Sequence, residues 1–169
     1  PDSIIKVRGP LLQAMVASGW EVQIAAPAVA TMPGLREALA SMGVALHDSP
    51  LSLPGTTPVA DIRLVLALRG LMRELRPTVA LPYTIKPVIY GTIAAWTAGV
   101  PRRFALVTGL GYAFTGNRQG IVKRLVSGLY RFALGRTHKV FFQNPDDERL
   151  FRELGIAPAG IPSVVVNGS

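Results

Sequence analysis

A chain of 169 residues with 49% hydrophobic and 17% charged side chains is long enough to bury one core and too apolar for intrinsic disorder. The absence of cysteine excludes a disulfide framework, a zinc finger and a thiol nucleophile, and it fits a reducing compartment, while two histidines, His47 and His138, are too few for a histidine-built metal site. No stretch reaches the roughly 18 consecutive apolar residues of a membrane-spanning helix, and the net charge of +8 asks for an anionic partner.

From the amino terminus, Pro1–Arg8 lacks the pattern of a central strand, and Gly9-Pro10 reads as a loop entering a helix over Pro10–Ser18 with proline in its first turn. On this reading the opening strand of an α/β domain is missing from the chain. Strand Glu21–Ala26, helix Leu35–Met42, strand Val44–His47 and helix Asp61–Leu75 follow. Next come strand Val79–Leu81, helix Pro87–Ala98, strand Arg103–Val107 and helix Ile121–Arg136. Strand Lys139–Gln143, helix Asp146–Leu154 and strand Ser163–Val166 complete the order. Several strands are continuous apolar runs, as expected for strands buried on both faces. Gly19, Gly43, Gly99 and Gly155 each follow a helical pattern as a stop signal. This alternation predicts an α/β fold with a doubly wound, mainly parallel, Rossmann-like sheet and helices on both faces.

Helical spacing over Asp61–Leu75 gathers Leu64, Val65, Leu68, Leu71, Met72 and Leu75 into one buried arc, with Arg63, Arg69, Arg73 and Glu74 opposite. Over Ile121–Arg136 the expected core arc is Ile121, Val122, Leu125, Val126, Leu129, Phe132 and Ala133. The other face carries Lys123, Arg124 and Arg131 with Tyr130 and Leu134, a mixture suited to a membrane surface or to packing on a further domain. Between Leu75 and Pro145 there is no acidic residue and there are ten basic ones. Nucleic acid, phospholipid headgroups or a phosphorylated substrate would each match that field.

Ligands of open α/β sheets bind beyond the carboxyl ends of the strands. Those positions hold Arg8 and Gly9, then Tyr83, Thr84 and Lys86, then Thr108, Gly109 and Gly111, then Asn144, and finally Asn167, Gly168 and Ser169. Gly109 and Gly111 begin a G-x-G-x-x-G pattern that fails at Phe114, so the segment reads as a loop permitting close backbone approach to a ligand. Lys86 before Pro87 places a cation at a helix entrance, the elements of an anion site. Asp146 and Asp147 read as carboxylates favouring a helix start, leaving Asn144 as the better site candidate. No Ser-His-Asp order, paired glutamates or P-loop can be assembled.

The segments Arg8-Gly9-Pro10-Leu11-Leu12, Tyr83-Thr84-Ile85-Lys86-Pro87, Thr108-Gly109-Leu110-Gly111-Tyr112, Phe142-Gln143-Asn144-Pro145-Asp146-Asp147 and Val165-Val166-Asn167-Gly168-Ser169 resemble bacterial family 4 glycosyltransferases. The branch they resemble most builds lipopolysaccharide, capsule and lipid-linked oligosaccharides. The resemblance implies the amino-terminal, acceptor-binding domain of a retaining, metal-independent GT-B enzyme, spanning residues 1–169, with the nucleotide-sugar domain absent from this chain. It implies a UDP- or GDP-linked sugar as donor and no cofactor. It puts Gly9 near the donor diphosphate, Thr84, Lys86 and the Thr108–Tyr112 loop toward acceptor and sugar, and Asn167-Gly168-Ser169 at the interdomain hinge. Tyr83-Thr84 stands where many relatives carry a histidine, so no catalytic side chain is assigned. Lipid-linked acceptors would hold the enzyme at the anionic cytoplasmic face of the inner membrane, through Lys123, Arg124, Tyr130, Arg131 and Leu134. Two other classes fit parts of the pattern: a basic nucleic-acid-binding module, for which 7% aromatic content is meagre, and a non-catalytic nucleotide-binding α/β domain.

Overall fold

The computed structural model describes residues 2–27, 34–49, 58–109 and 120–166. It divides into two compact units, Pro1–Leu64 and Val65–Gly168. In the first, helix α1 (Asp2–Ala17), strand β1 (Val22–Pro27), helix α2 (Leu35–Ser41) and strand β2 (Val44–Ser49) form a parallel two-stranded sheet with helical cover. Leu12, Leu35, Leu39, Val44 and Leu46 are its buried core, with Ile5, Val16, Val22, Ile24 and Met42 packed around them. Helix α3 (Pro58–Leu75) spans the boundary between the units.

The expected loop at Gly9-Pro10 is not there, because α1 runs straight through both residues. Ile5, Leu12 and Val16 recur at helical spacing and all reach the core of the first unit. Burying side chains of this size is worth about 1.5–3 kcal/mol each, which outweighs the roughly 3 kcal/mol cost of a proline inside a helix. Gly9 is buried on that face, and a β-carbon there would lie 3.9 Å from Ile5 Cγ2 and 4.0 Å from Met42 Cε. Gly9 is therefore a packing residue of α1.

The second unit carries strand β3 (Val79–Ala80), a π-helical turn (Pro87–Gly91) continuing into α4 (Thr92–Ala98), and strand β4 (Arg102–Val107). Helix α5 (Ile121–Leu134), strand β5 (Lys139–Phe142), helix α6 (Pro145–Glu153) and strand β6 (Ser163–Val165) follow. The strands pair in parallel in the order β3-β4-β5-β6. Every strand forecast from the sequence is present within two residues of its expected ends, all of them parallel, as the doubly wound class requires.

Alternate residues of the sheet, Ala105 and Val107 of β4 with Val140 and Phe142 of β5, join Val88 and Ile89 of the π turn in one core. Tyr130, Phe142 and Phe151 stack edge to face within it, at centroid distances of 5.3 Å (Tyr130–Phe151) and 5.4 Å (Phe142–Phe151). Arg152 of α6 donates to the carbonyls of Pro158 and Ile161 and to Ser163 Oγ, and Ser163 donates to Glu148, so α6 is tied to β6. His138 Nδ1 accepts the Arg103 N–H at 3.1 Å and extends the β4–β5 ladder by one residue.

The glycine stops are realised with one geometry. After α4 and α6 the glycine has positive φ (Gly99 81°, Gly155 63°), and the next N–H closes back over five residues, Val100 to Ala95 and Ile156 to Phe151. Both closing residues, Val100 and Ile156, are buried, so each stop also returns the chain to the core.

Helix α5 keeps Val126, Leu129 and Ala133 of the expected arc on the core but turns Leu125 and Phe132 outward and Tyr130 and Leu134 inward. Tyr130, Ala133 and Leu134 are 1%, 0% and 0% exposed, whereas Leu125 is 63% and Phe132 44% exposed. Tyr130 and Leu134 thus belong to the core and leave the expected membrane face; Arg124 and Arg131 remain exposed, and the side chain of Lys123 lies outside the described set. The displacement has a packing cause. Tyr130 completes the aromatic group with Phe151, while Phe132 finds Trp96 on the outer side of α4.

Candidate functional site

In the second unit the carboxyl ends of the parallel strands form the candidate site. Beyond β3 the chain stays alongside β4: Tyr83 pairs with Leu106, and the Pro82 carbonyl accepts the Leu106 N–H at 3.0 Å. Thr84 then turns with φ at 68°. A β-branched residue in that region stores about 1–3 kcal/mol of strain, of the kind that collects at binding sites. The Thr84 carbonyl accepts the Val88 N–H at 2.9 Å and opens the helical segment, with half-buried Lys86 just ahead of Pro87. Gly91, one π turn later, lies against the strand tip: a β-carbon there would stand 3.2 Å from Pro82 Cβ. Only glycine allows that approach without displacement.

The second tip is Thr108 and Gly109, both half-buried, with Gly109 at φ 131°. The third begins at Gln143, whose N–H donates to the Val107 carbonyl at 3.3 Å. Asn144 follows as the N-cap of α6, its Oδ1 accepting the N–H of Asp146 at 2.7 Å and of Asp147 at 3.1 Å. Its Nδ2 donates to Asp147 Oδ2 at 3.2 Å. That carboxylate oxygen is 4.0 Å from where a β-carbon of Gly109 would be, so Asp147 sits between the tips of β4 and β5.

Here the roles differ from those expected. Asn144 performs the capping, exposed Asp146 pairs with Arg149 at 3.5 Å, and Asp147 turns inward and is 8% exposed. The Asn-x-x-Asp spacing is a variant of the capping box, in which the third helical residue reaches back to the cap; that signal marks the residue but not its burial. Burial, and then the charge of Asp146, pushes the Asp147 carboxyl above its usual range. Beneath it the Tyr130 phenol is raised as well, mainly by burial and further by the charge of Asp147.

The structure thus brings Thr84 and Lys86, Thr108 and Gly109, and Asn144 to one end of adjacent strands, and it adds Asp147. Arg8 and Gly9 belong to α1 of the first unit. Gly111 and the candidate hinge residues Asn167, Gly168 and Ser169 lie outside the described residues. Chemically, the tips offer a cation beside a helix entrance, which suits phosphate, and threonine hydroxyls with a buried carboxylate, which suit a polyhydroxylated ligand.

Residues 6–168 match the family model described as a glycosyl transferase 4-like domain. The chain is 26% identical over 156 residues to the N,N'-diacetylbacillosaminyl-diphospho-undecaprenol alpha-1,3-N-acetylgalactosaminyltransferase of Campylobacter jejuni, covering 91% of this chain and 40% of that protein. Among solved structures it is similar to MurG of Acinetobacter baumannii, with a TM-score of 0.55 and 13% identity over 95% of this chain and 40% of that one, a likeness of fold. The chain therefore spans about 40% of the length of either relative.

Proposed function

The chain belongs to the glycosyl transferase 4-like domain family, and from that premise we propose that it is the acceptor-binding part of a retaining glycosyltransferase. The reaction moves a sugar from a UDP- or GDP-linked donor to a lipid-linked sugar, in the synthesis of lipopolysaccharide, capsule or another surface polysaccharide. The observation that carries this reading is the grouping of Lys86, Thr84, Thr108, Gly109 and Asp147 at the carboxyl end of one parallel sheet. The printed name of the Campylobacter relative, with its undecaprenol-linked diphosphate, supports the acceptor class.

On this reading the bond between the anomeric carbon and the donor diphosphate breaks as the acceptor hydroxyl bonds to the same face of that carbon. Negative charge grows on the diphosphate, and the Lys86 ammonium with the helix-entrance N–H groups lowers its energy. The departing diphosphate oxygen takes the acceptor proton, so the step needs neither a protein nucleophile nor a metal. Asp147 accepts a hydrogen bond from an acceptor hydroxyl and orients it. A lipid-linked acceptor keeps the enzyme on the cytoplasmic face of the inner membrane as a peripheral protein. No helix among the described residues is long and apolar enough to cross a membrane.

The test is transfer from labelled UDP- and GDP-sugars to a short-chain polyprenyl-diphosphate-linked sugar, using the longest natural protein that contains this chain. Lys86→Ala is expected to lower kcat/KM about 100-fold, the scale for removing one charge-stabilising group. Wild-type rates in that variant would remove Lys86 from the mechanism, and no transfer from either donor class would overturn the assignment.

A further inference from the structure

Three large apolar side chains stand in solvent on the outer side of α4 and α5: Trp96 at 40%, Phe132 at 44% and Leu125 at 63% exposure. Leu125 and Phe132 are seven residues apart and share one face of α5, about 10 Å along its axis. Trp96 meets Phe132 edge to face, with ring centroids 5.8 Å apart and planes at 81°. The Arg136 guanidinium lies 4.5 Å from the Trp96 centroid and 5.0 Å from that of Phe132. Arg103 fixes the backbone behind it, donating from Nε to the Arg136 carbonyl at 2.7 Å and from a terminal nitrogen to the Val100 carbonyl at 2.6 Å. A third guanidinium, of Arg69, reaches the Thr97 carbonyl at 3.3 Å, next to Trp96.

Charge and ring geometry together choose the partner. Neither α4, α5 nor any residue between them is acidic, while Arg124 and Arg131 add exposed cations to α5. The partner is therefore anionic. Single-stranded nucleic acid stacks its bases on open ring faces, but here Arg136 lies over both rings and the rings meet each other at a steep angle. Leu125, the most exposed of the three, offers hydrocarbon and no π face. An indole and a phenyl ring beside the Arg136 guanidinium, with Leu125, Arg124 and Arg131 exposed on the same helix as Phe132, match a lipid interface, where the apolar groups sit below the headgroups and exposed guanidinium groups pair with phosphate.

We propose that Trp96, Leu125, Phe132 and Arg136 form a docking edge that enters the headgroup region of an anionic phospholipid bilayer. This deepens the reading of a lipid-linked acceptor and rests on it for the choice of a membrane. It also replaces the face inferred from the sequence, since Tyr130 and Leu134 point into the core.

The chain has two tryptophans, so Trp20→Phe leaves Trp96 as the only indole reporter. With vesicles of phosphatidylcholine containing phosphatidylglycerol, its emission is expected to shift to the blue and to be quenched by lipids brominated high on the acyl chain. Binding is expected to weaken as salt rises. Leu125→Ser with Phe132→Ser is expected to lower partitioning at least tenfold; Leu125→Ser alone, at a largely exposed position, guards against a folding defect and is expected to lower it severalfold. Unchanged Trp96 emission on vesicles, wild-type partitioning of Leu125→Ser, or tighter binding to a single-stranded oligonucleotide than to vesicles would each overturn the proposal. Sugar transfer to a short-chain, water-soluble acceptor separates the two claims. Transfer without vesicle binding sinks the docking edge alone, whereas vesicle binding of this kind without transfer upholds the edge and sinks the enzymatic reading.

Discussion

Replacing Asn144 tests how the tips of β4 and β5 are held. Its side chain caps two N–H groups of α6 and donates to the buried Asp147 carboxylate. Losing the cap costs about 1 kcal/mol, and losing a hydrogen bond to a charged group costs roughly 1.5 kcal/mol more. Asn144→Ala is therefore expected to destabilise the second unit by about 2.5 kcal/mol and to lower its Tm by about 10 °C, on the scale of a unit of about 100 residues. Asn144→Asp separates the two contributions, since aspartate keeps the capping oxygen but sets a second carboxylate against Asp147. The Asp147 carboxyl is already raised in the folded state, so its stabilising contribution is present at low pH and is lost as pH rises from about 4. A second charge steepens that loss, so Asn144→Asp should lie closest to wild type at acidic pH and fall away toward neutrality. The assay is urea denaturation followed by Trp96 fluorescence in the Trp20→Phe background, across pH 4.5–8. An Asn144→Ala cost below about 0.5 kcal/mol, within the range of ordinary surface substitutions, or an Asn144→Asp profile parallel to wild type, would mean that Asn144 does not hold the two strand tips.

Two other substitutions probe the interior. Thr92 is 0% exposed and its Oγ1 has no hydrogen-bond partner among the described residues, so Thr92→Val is expected to stabilise by about 1 kcal/mol; a loss of that size in thermal melts would show that the hydroxyl is bonded. For Tyr130, the folded-state phenol is raised well above its usual value near 10, so wild type loses stability above about pH 10 as the unfolded chain's phenol ionises first. Tyr130→Phe keeps the ring contact with Phe151 and should remove that part of the alkaline decline, and identical alkaline profiles would count against a buried phenol.

The alternation of strands and helices was legible because its signals are local: buried strands write themselves as apolar runs, and glycine marks the positive-φ stops at 99 and 155. Phase within α5 was not local. Hydrophobicity places Phe132 inside at least as readily as Tyr130, and the choice was made by Phe151 on one side and by Trp96 with Arg136 on the other. Gly9-Pro10 carried two helix breakers, but the spacing of Ile5, Leu12 and Val16 overrode them. The placement of Thr84, Lys86, Thr108, Gly109 and Asn144 at strand tips followed from topology, because strand tips are a matter of order. That of Asp147 did not, because its direction depends on how Asn144 folds back over the start of α6. The π turn at Pro87–Gly91 left no mark in composition or spacing.

The close seating of Gly91 against Pro82 leaves no room for a side chain between the strand tip and the turn that leads into α4. A side chain at position 91 would have to part Pro82 from that turn, and the shift would fall on the segment that carries Tyr83, Thr84 and Lys86.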